Sequence, residues 1–386
     1  MEKKYNFDQT PLRRNTSSIK WDIKENELPM WVADMDFFPM DEIKEAIQKA
    51  AEEQSYGYTY PTQEFFDAYH NWWLKRHDVD IPIEWMIYAT GVVSSLDCMV
   101  RELTKVNDGV LLLTPVYHTF FHVIENNKRI VVTSDLIKDG DNYYINYQDV
   151  ERKIKEKRVK AIIFCNPHNP IGRIWQKEEI QKLYDICERY NVIFLSDEIH
   201  CDLVNPGYCY CSALKVSKDI ITCLSPGKAF NLAGLHTSIV VIENKYRREL
   251  IQKALYRDDL GEASYFAIPA TIAAYTYGAD FIDELNQYLF SNKIFVFNYL
   301  RENLPEVRLI SGPATYLLWL DISFLGIRSD VFAKELREET GLIVSPGYQF
   351  GQAGANYLRI NIATSLENVK DAMNRLYIFI KNKKEK

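Results

Sequence analysis

The chain has 386 residues, 47% apolar and 13% aromatic, with a formal net charge of -7. That supply of apolar side chains suits a large core and excludes a disordered chain, and the length suggests roughly two to three domains. The mild acidity, with no basic stripe, argues against a nucleic-acid partner.

The opening Met1-Glu-Lys-Lys-Tyr-Asn6 has no apolar signal-peptide core, and no run approaches the roughly eighteen apolar residues of a membrane span. A cytoplasmic protein with no membrane contact is expected. Seven cysteines without metal-ligand spacing point to reduced thiols and no metal. Leu28 to Pro39 reads as an extended arm over a pocket, with Trp31, Asp34 and Asp36 as its pocket candidates. Asp41 to Ala51 has helical spacing with Asp41 as its N-cap, and Phe65 to Arg76 is a second, aromatic-rich helix. Between them lies the aromatic stretch Tyr56 to Pro61. Thr90-Gly-Val-Val-Ser-Ser runs into a helix whose free N–H groups form a phosphate cradle.

From here short apolar runs alternate with segments long enough for helices. They are Gly109 to Pro115, Arg129 to Thr133, Val159 to Cys165, Asn191 to Ser196, Ile220 to Leu224 and Ser238 to Ile242. This pattern predicts an α/β fold with a mostly parallel sheet covered on both faces. After the helical segment Ile268 to Tyr277 the pattern changes. A helix over Phe281 to Asn303 precedes strands at Arg308, at Tyr316 to Asp321, at Gly341 to Ser345 and at Tyr357 to Ile362. Helices over Asp330 to Thr340 and from Leu366 complete a smaller α+β part, and Lys381 to Lys386 reads as a solvated tail. The expected division is an arm over 1–45 that joins the small domain, a large domain over 46–280 and a small domain over 281–386.

In such sheets ligands bind beyond the carboxyl ends of the strands. Three of the predicted strands are followed by Asn166-Pro-His-Asn-Pro-Ile-Gly172, by Ser196-Asp-Glu-Ile-His200 and by Ser225-Pro-Gly-Lys-Ala-Phe-Asn-Leu-Ala-Gly234. A lysine delivered to a strand end inside a large domain is desolvated, and a neutral amine is what Schiff-base chemistry needs. Alone, Lys228 also suits a solvated loop. An Asn, an Asp and a Lys at successive strand ends suit a heterocyclic aldehyde such as pyridoxal 5'-phosphate: acid to the ring nitrogen, amide to the ring hydroxyl, amine to the aldehyde.

With Met30-Trp-Val-Ala-Asp-Met-Asp-Phe37 and Leu358-Arg-Ile-Asn361, these motifs make the chain resemble a fold-type I pyridoxal-phosphate enzyme of the class I/II aminotransferase group. Within that group it resembles most the cystathionine β-lyase, or carbon–sulfur lyase, branch. The resemblance implies a large mostly parallel seven-stranded sheet domain, a smaller α+β domain and a homodimer with active sites at the subunit interface. It implies Lys228 as the catalytic lysine bound to the cofactor, Asp197 on the pyridine nitrogen, Asn169 on the phenolic oxygen and Tyr117 stacked on the ring. Val92, Val93, Ser225 and a second subunit's Tyr58 would hold the phosphate. Arg359 would clamp the substrate carboxylate, with Tyr117, Asn169 and Trp31 beside the substrate and His200 next to the cofactor without an acid–base role. The chain departs from aspartate aminotransferases at His236, where they carry a phosphate-binding arginine.

The implied reaction is β-cleavage of L-cystathionine or a related cysteine S-conjugate to a thiol, pyruvate and ammonia. A transaminase acting on an amino acid and a 2-oxo acid shares every cofactor residue, and a regulatory protein that contains the cofactor is a third reading.

Overall fold

The computed structural model describes residues 4–310 and 312–385; the first three residues of the arm and the last of the tail lie outside them. Its centre is a sheet of seven strands: β1 (Met86–Ala89), β2 (Gly109–Thr114), β3 (Ile130–Asp135), β4 (Val159–Cys165), β5 (Ile193–Asp197), β6 (Ile221–Leu224) and β7 (Ser238–Val241). Across the sheet the order is β1-β7-β6-β5-β4-β2-β3. β7 pairs antiparallel with both of its neighbours, and the other pairings are parallel.

Both faces of this sheet are covered, which is why its strands read as continuous apolar runs. Val110 and Leu112 of β2 pack into one cluster with the helices Val92–Leu103, Thr119–Asn126 and Lys245–Arg257. Leu111 and Leu113, pointing the other way by the two-residue period of a strand, pack with the helices Tyr147–Glu156 and Lys177–Arg189. Within the second motif, Gly172 has φ +67°, and a Cβ there would stand 2.6 Å from the Ala314 carbonyl, so only glycine fits that turn.

A four-stranded sheet follows, formed by β8 (Arg308–Ile310), β9 (Leu317–Asp321), β10 (Ser345–Pro346) and β11 (Tyr357–Asn361), in the order β8-β9-β11-β10. The long helix Ala279–Asn303 lends Phe281, Leu285 and Leu289 to a core that also holds Trp72 of the helix Gln63–His77 and Leu318 of β9. Near the N-terminus, Leu28–Pro29 pairs in parallel with Leu342–Ile343, and Met30 accepts the Asn361 N–H at 2.9 Å.

Local expectations are corrected at four points. Asp41 is the first residue of the helix Asp41–Glu52, and Met40 precedes it with no side-chain cap, so the Asp41 carboxylate faces the positive helix end instead of capping it. The stretch Gly341 to Ser345 is two short strands, because Leu342–Ile343 pairs with the arm and Ser345–Pro346 with β11. β1, four residues long, was not among the expected strands. The C-terminal lysines are solvent-facing as expected but helical: the helix Leu366–Glu385 runs through them, with Lys383 2.8 Å from Glu335 and Lys384 2.5 Å from Glu306. No described helix is long and apolar enough to cross a membrane.

Candidate active site

A cavity of about 770 Å³ opens at the carboxyl ends of β4, β5 and β6. It is lined by Lys228, Asp197, Asn169, Tyr117, His200 and Ser225, and by Val92 and Val93 at the start of a helix. The residues that follow the strand ends are therefore gathered in one place. Trp31, Arg359 and Tyr58 are not on its wall. Arg359 adjoins it through Asn169, Trp31 adjoins Arg359, and Tyr58 is 97% exposed.

Lys228 leaves the loop after β6 with Nζ 2.6 Å from the Ala33 carbonyl. Burial, helped by the charge of Arg359, pushes its amine down to about 8, while Asp34 and Asp197 pull the other way. Two side chains brace the loop. The Ser225 hydroxyl donates to the Thr237 carbonyl at 2.7 Å and accepts the Gly227 N–H at 3.0 Å. Asn231 exchanges two bonds of 2.9 Å with the backbone of Met35.

Asp197 ends β5 as a buried carboxyl that accepts the Ile199 N–H at 3.1 Å. Burial raises it to about 7 against the opposing pull of that N–H and of Lys228. Glu198 turns away, accepting from Ser196, Ser212 and the Ala213 N–H at 2.7–2.9 Å. In the loop after β4, the Asn166 amide donates to the Cys211 carbonyl at 2.8 Å and the His168 ring bonds the Pro115 carbonyl at 2.8 Å. These two shape the turn that delivers Asn169. The Asn169 oxygen accepts from Arg359 at 3.2 Å, so its amide nitrogen is the group left for a ligand.

Arg359 is 3% exposed and has no acidic partner among the described residues. Besides Asn169 it donates to the Trp31 carbonyl at 2.8 Å and the Ser345 hydroxyl at 3.2 Å, its Nε has no partner, and burial pulls it down to about 10. His200, buried beside Tyr316, is held near 3 by burial and by the charges of Lys228 and Arg359, so it is neutral and no proton carrier.

At the other end, the hydroxyls of Ser94 and Ser95 donate back to the Gly91 carbonyl at 2.9 and 2.7 Å, which leaves the first N–H groups of the helix Val92–Leu103 uncommitted. The Thr237 hydroxyl, also on the cavity wall, is buried without a partner. His236, in the left-handed region at φ 52°, lines the same end.

These observations fit pyridoxal phosphate. Free N–H groups and an orphaned hydroxyl await an anion, a buried carboxyl without an arginine awaits a cationic ring, and a buried amine stands between them. Sequence reasoning missed Thr237 and the Ala33 carbonyl. The former gives no signal beyond its closeness to Ser225, and backbone acceptors give none at all.

The family description "Aminotransferase class I and II" matches residues 26–376. A protein named cystathionine beta-lyase PatB, from Bacillus subtilis (strain 168), is 35% identical over 382 residues, covering 96% of this chain and 98% of that protein. Protein MalY of Escherichia coli (strain K12) is 30% identical over 92% of this chain and 94% of its own. Cystalysin from Treponema denticola, a structure that contains pyridoxal 5'-phosphate, superposes with a TM-score of 0.93 at 32% identity, covering 98% of this chain and 99% of that one. Motifs, sheet and cavity agree with these likenesses: the chain belongs to the class I and II aminotransferase family, with the fold-type I architecture.

Proposed function

We propose that this protein is a pyridoxal-phosphate-dependent carbon–sulfur β-lyase. With water, it cleaves L-cystathionine or a related cysteine S-conjugate to a thiol, pyruvate and ammonia. The observation that carries this reading is the buried Lys228 amine at about 8, in one cavity with Asp197 and next to Arg359. The names of the relatives, cystathionine beta-lyase above all, support the choice of reaction.

The bound cofactor supplies an electron sink for the carbanion at the substrate Cα. The chain's own residues do the rest. Asp197 keeps the ring nitrogen protonated, and a cation there restores to its carboxyl the charge that burial disfavours. Asn169 would give its amide hydrogen to the ring oxygen, and Tyr117 would pack on the ring. The N–H groups of Val92 and Val93 and the Thr237 hydroxyl would hold the phosphate, joined by the Ser225 hydroxyl on turning from the Thr237 carbonyl. Arg359, with no acid of its own, takes the substrate carboxylate with its planar fork. Lys228, as a neutral amine, takes the proton from Cα and returns it to the departing thiolate.

We infer that the active unit is a homodimer. The 97% exposure of Tyr58 in one chain supports a reading in which it would reach the phosphate site of the second copy. The test is incubation of the purified holoenzyme with L-cystathionine and no keto acid. Pyruvate and homocysteine in equal amounts are expected, and amino transfer that requires an added 2-oxo acid would assign a transaminase instead.

A further inference from the structure

The loop after β2 carries Tyr117 and, next to it, His118, which precedes the helix Thr119–Asn126. This loop is docked on the segment around Phe350. The Val116 N–H donates to the Phe350 carbonyl at 2.9 Å, and Gly351, at φ +113°, lies so close that a Cβ would stand 3.1 Å from the Thr114 methyl. Phe350 is thereby fixed as a wall shared by two cationic-capable side chains. The Arg359 guanidinium lies over its face at 4.8 Å, and the His118 ring meets it edge-on at 5.8 Å. His118 also lies 5.0 Å from the Tyr117 ring and 6.3 Å from His122, both of which line the main cavity.

Three nitrogens of this region are buried without partners: His118 Nδ1, Arg359 Nε and Trp31 Nε1, the last on the residue whose backbone carbonyl binds Arg359. Buried nitrogens left unpaired are costly, and a guanidinium with a free Nε and no carboxylate of its own, sharing the Phe350 wall with His118, calls for an anion with more than one acceptor. We propose that His118 is a substrate-binding residue, a second donor that gives its Nδ1–H to the substrate α-carboxylate alongside Arg359. This rests on the reading of Arg359 as the carboxylate clamp. Burial, and after it the charge of Arg359, hold the imidazole near 4, so at neutral pH it supplies one N–H and no charge. It orders the carboxylate and adds no second cation.

The holoenzyme is titrated with L-alanine, which has no β leaving group, and with L-alaninol, which replaces the carboxylate by a hydroxymethyl group; both are followed by the cofactor absorbance. One hydrogen bond to a charged group is worth about 1.5 kcal/mol, roughly tenfold in affinity. His118→Phe is expected to weaken L-alanine about tenfold and L-alaninol less than twofold, and His118→Gln to restore L-alanine to within about threefold. Equal weakening of both ligands, or unchanged L-alanine binding in His118→Phe, overturns the proposal. Because L-alanine cannot undergo β-elimination, the outcome does not depend on pyruvate formation. A failed lyase reading shows instead as absent pyruvate beside an intact L-alanine preference.

Discussion

The amine of Lys228 is moored at 2.6 Å to the backbone carbonyl of Ala33, a residue 195 positions away in the chain. That carbonyl also accepts the Tyr316 hydroxyl at 3.0 Å. Its neighbours are similarly occupied: Trp31 by Arg359, Val32 and Asp34 by Asn361, and Met35 by Arg13 and Asn231. Five successive carbonyls are thus bound by side chains from the arm, the lysine loop and the small sheet. The segment is thereby held from three directions beside the Lys228 amine.

Replacing Lys228 by Met should abolish pyruvate formation and stabilise the cofactor-free protein. The sign follows from a folded-state value of about 8, below the ordinary 10.5. The destabilisation is complete below about 8 and disappears above 10.5. The gain from Lys228→Met is therefore largest at pH 7, up to roughly 3 kcal/mol, and fades over that interval. Urea midpoints at pH 7 and pH 10 measure it; equal gains at both would mean that the amine is not desolvated.

Asp197→Asn reverses the slope. A carboxyl raised to about 7 destabilises the cofactor-free fold above that pH and ceases to do so near its ordinary 3.8. The variant should be more stable than the parent at pH 8, by roughly 2–4 kcal/mol, and equal to it near pH 4. It should also retain cofactor poorly, since an amide cannot neutralise a ring cation. Thermal midpoints across this range, with and without added cofactor, check both halves.

Strands buried on both faces were legible because Val159 to Cys165 or Gly109 to Thr114 leave no alternative to an apolar run between turns, and the observed bounds of β4 coincide with the expected ones. Direction was not: Ser238–Val241 is as apolar as the parallel strands of the sheet, and nothing in its side chains tells that it runs against its neighbours. β1 escaped notice because Met86–Ala89 is short and carries no β-branched run. In the site, Lys228, Asp197 and Asn169 stand out by being polar where a strand ends, and all three reach one cavity. Asp36 stands out equally in the sequence, yet its carboxylate is consumed by Lys20, Arg13 and Trp21 at 2.7–2.9 Å and serves the arm. Charge in a motif marks a buried task without saying whether the partner is a ligand or another side chain.

The arm itself is testable through Arg13, which bonds Asp34, Asp36, the Met35 carbonyl and Ser18 at 2.7–2.9 Å. Arg13→Ala leaves a buried Asp36 short of a donor and frees the covering segment, so a loss of roughly 2–3 kcal/mol and a lowered turnover are expected together. Arg14→Ala is the control, because Arg14 donates to the Lys24 and Glu27 carbonyls, away from residues 31–35. It should cost stability while sparing turnover. If both variants lose turnover alike, residues 31–35 do not depend on the Arg13 clasp.

Arg359 separates binding from folding most sharply. It is buried, pulled down to about 10 by desolvation, and faces no carboxylate among the described residues, so neutral acceptors alone offset its charge in the fold. Arg359→Met removes that charge at similar length and should raise the thermal midpoint of the cofactor-free protein. The same change takes two charged hydrogen bonds from the substrate carboxylate, worth roughly 3–4 kcal/mol together, so kcat/KM should fall by about two to three orders of magnitude. Arg359→Lys keeps the charge but loses the planar fork, and a point cation cannot hold Asn169, the Trp31 carbonyl and a carboxylate at once; it should recover only a small part of the activity. Steady-state pyruvate formation alongside thermal denaturation checks the pair. A midpoint that falls in Arg359→Met would mean that the guanidinium is held by the fold for the fold's own sake, and its role toward substrate would have to be given up.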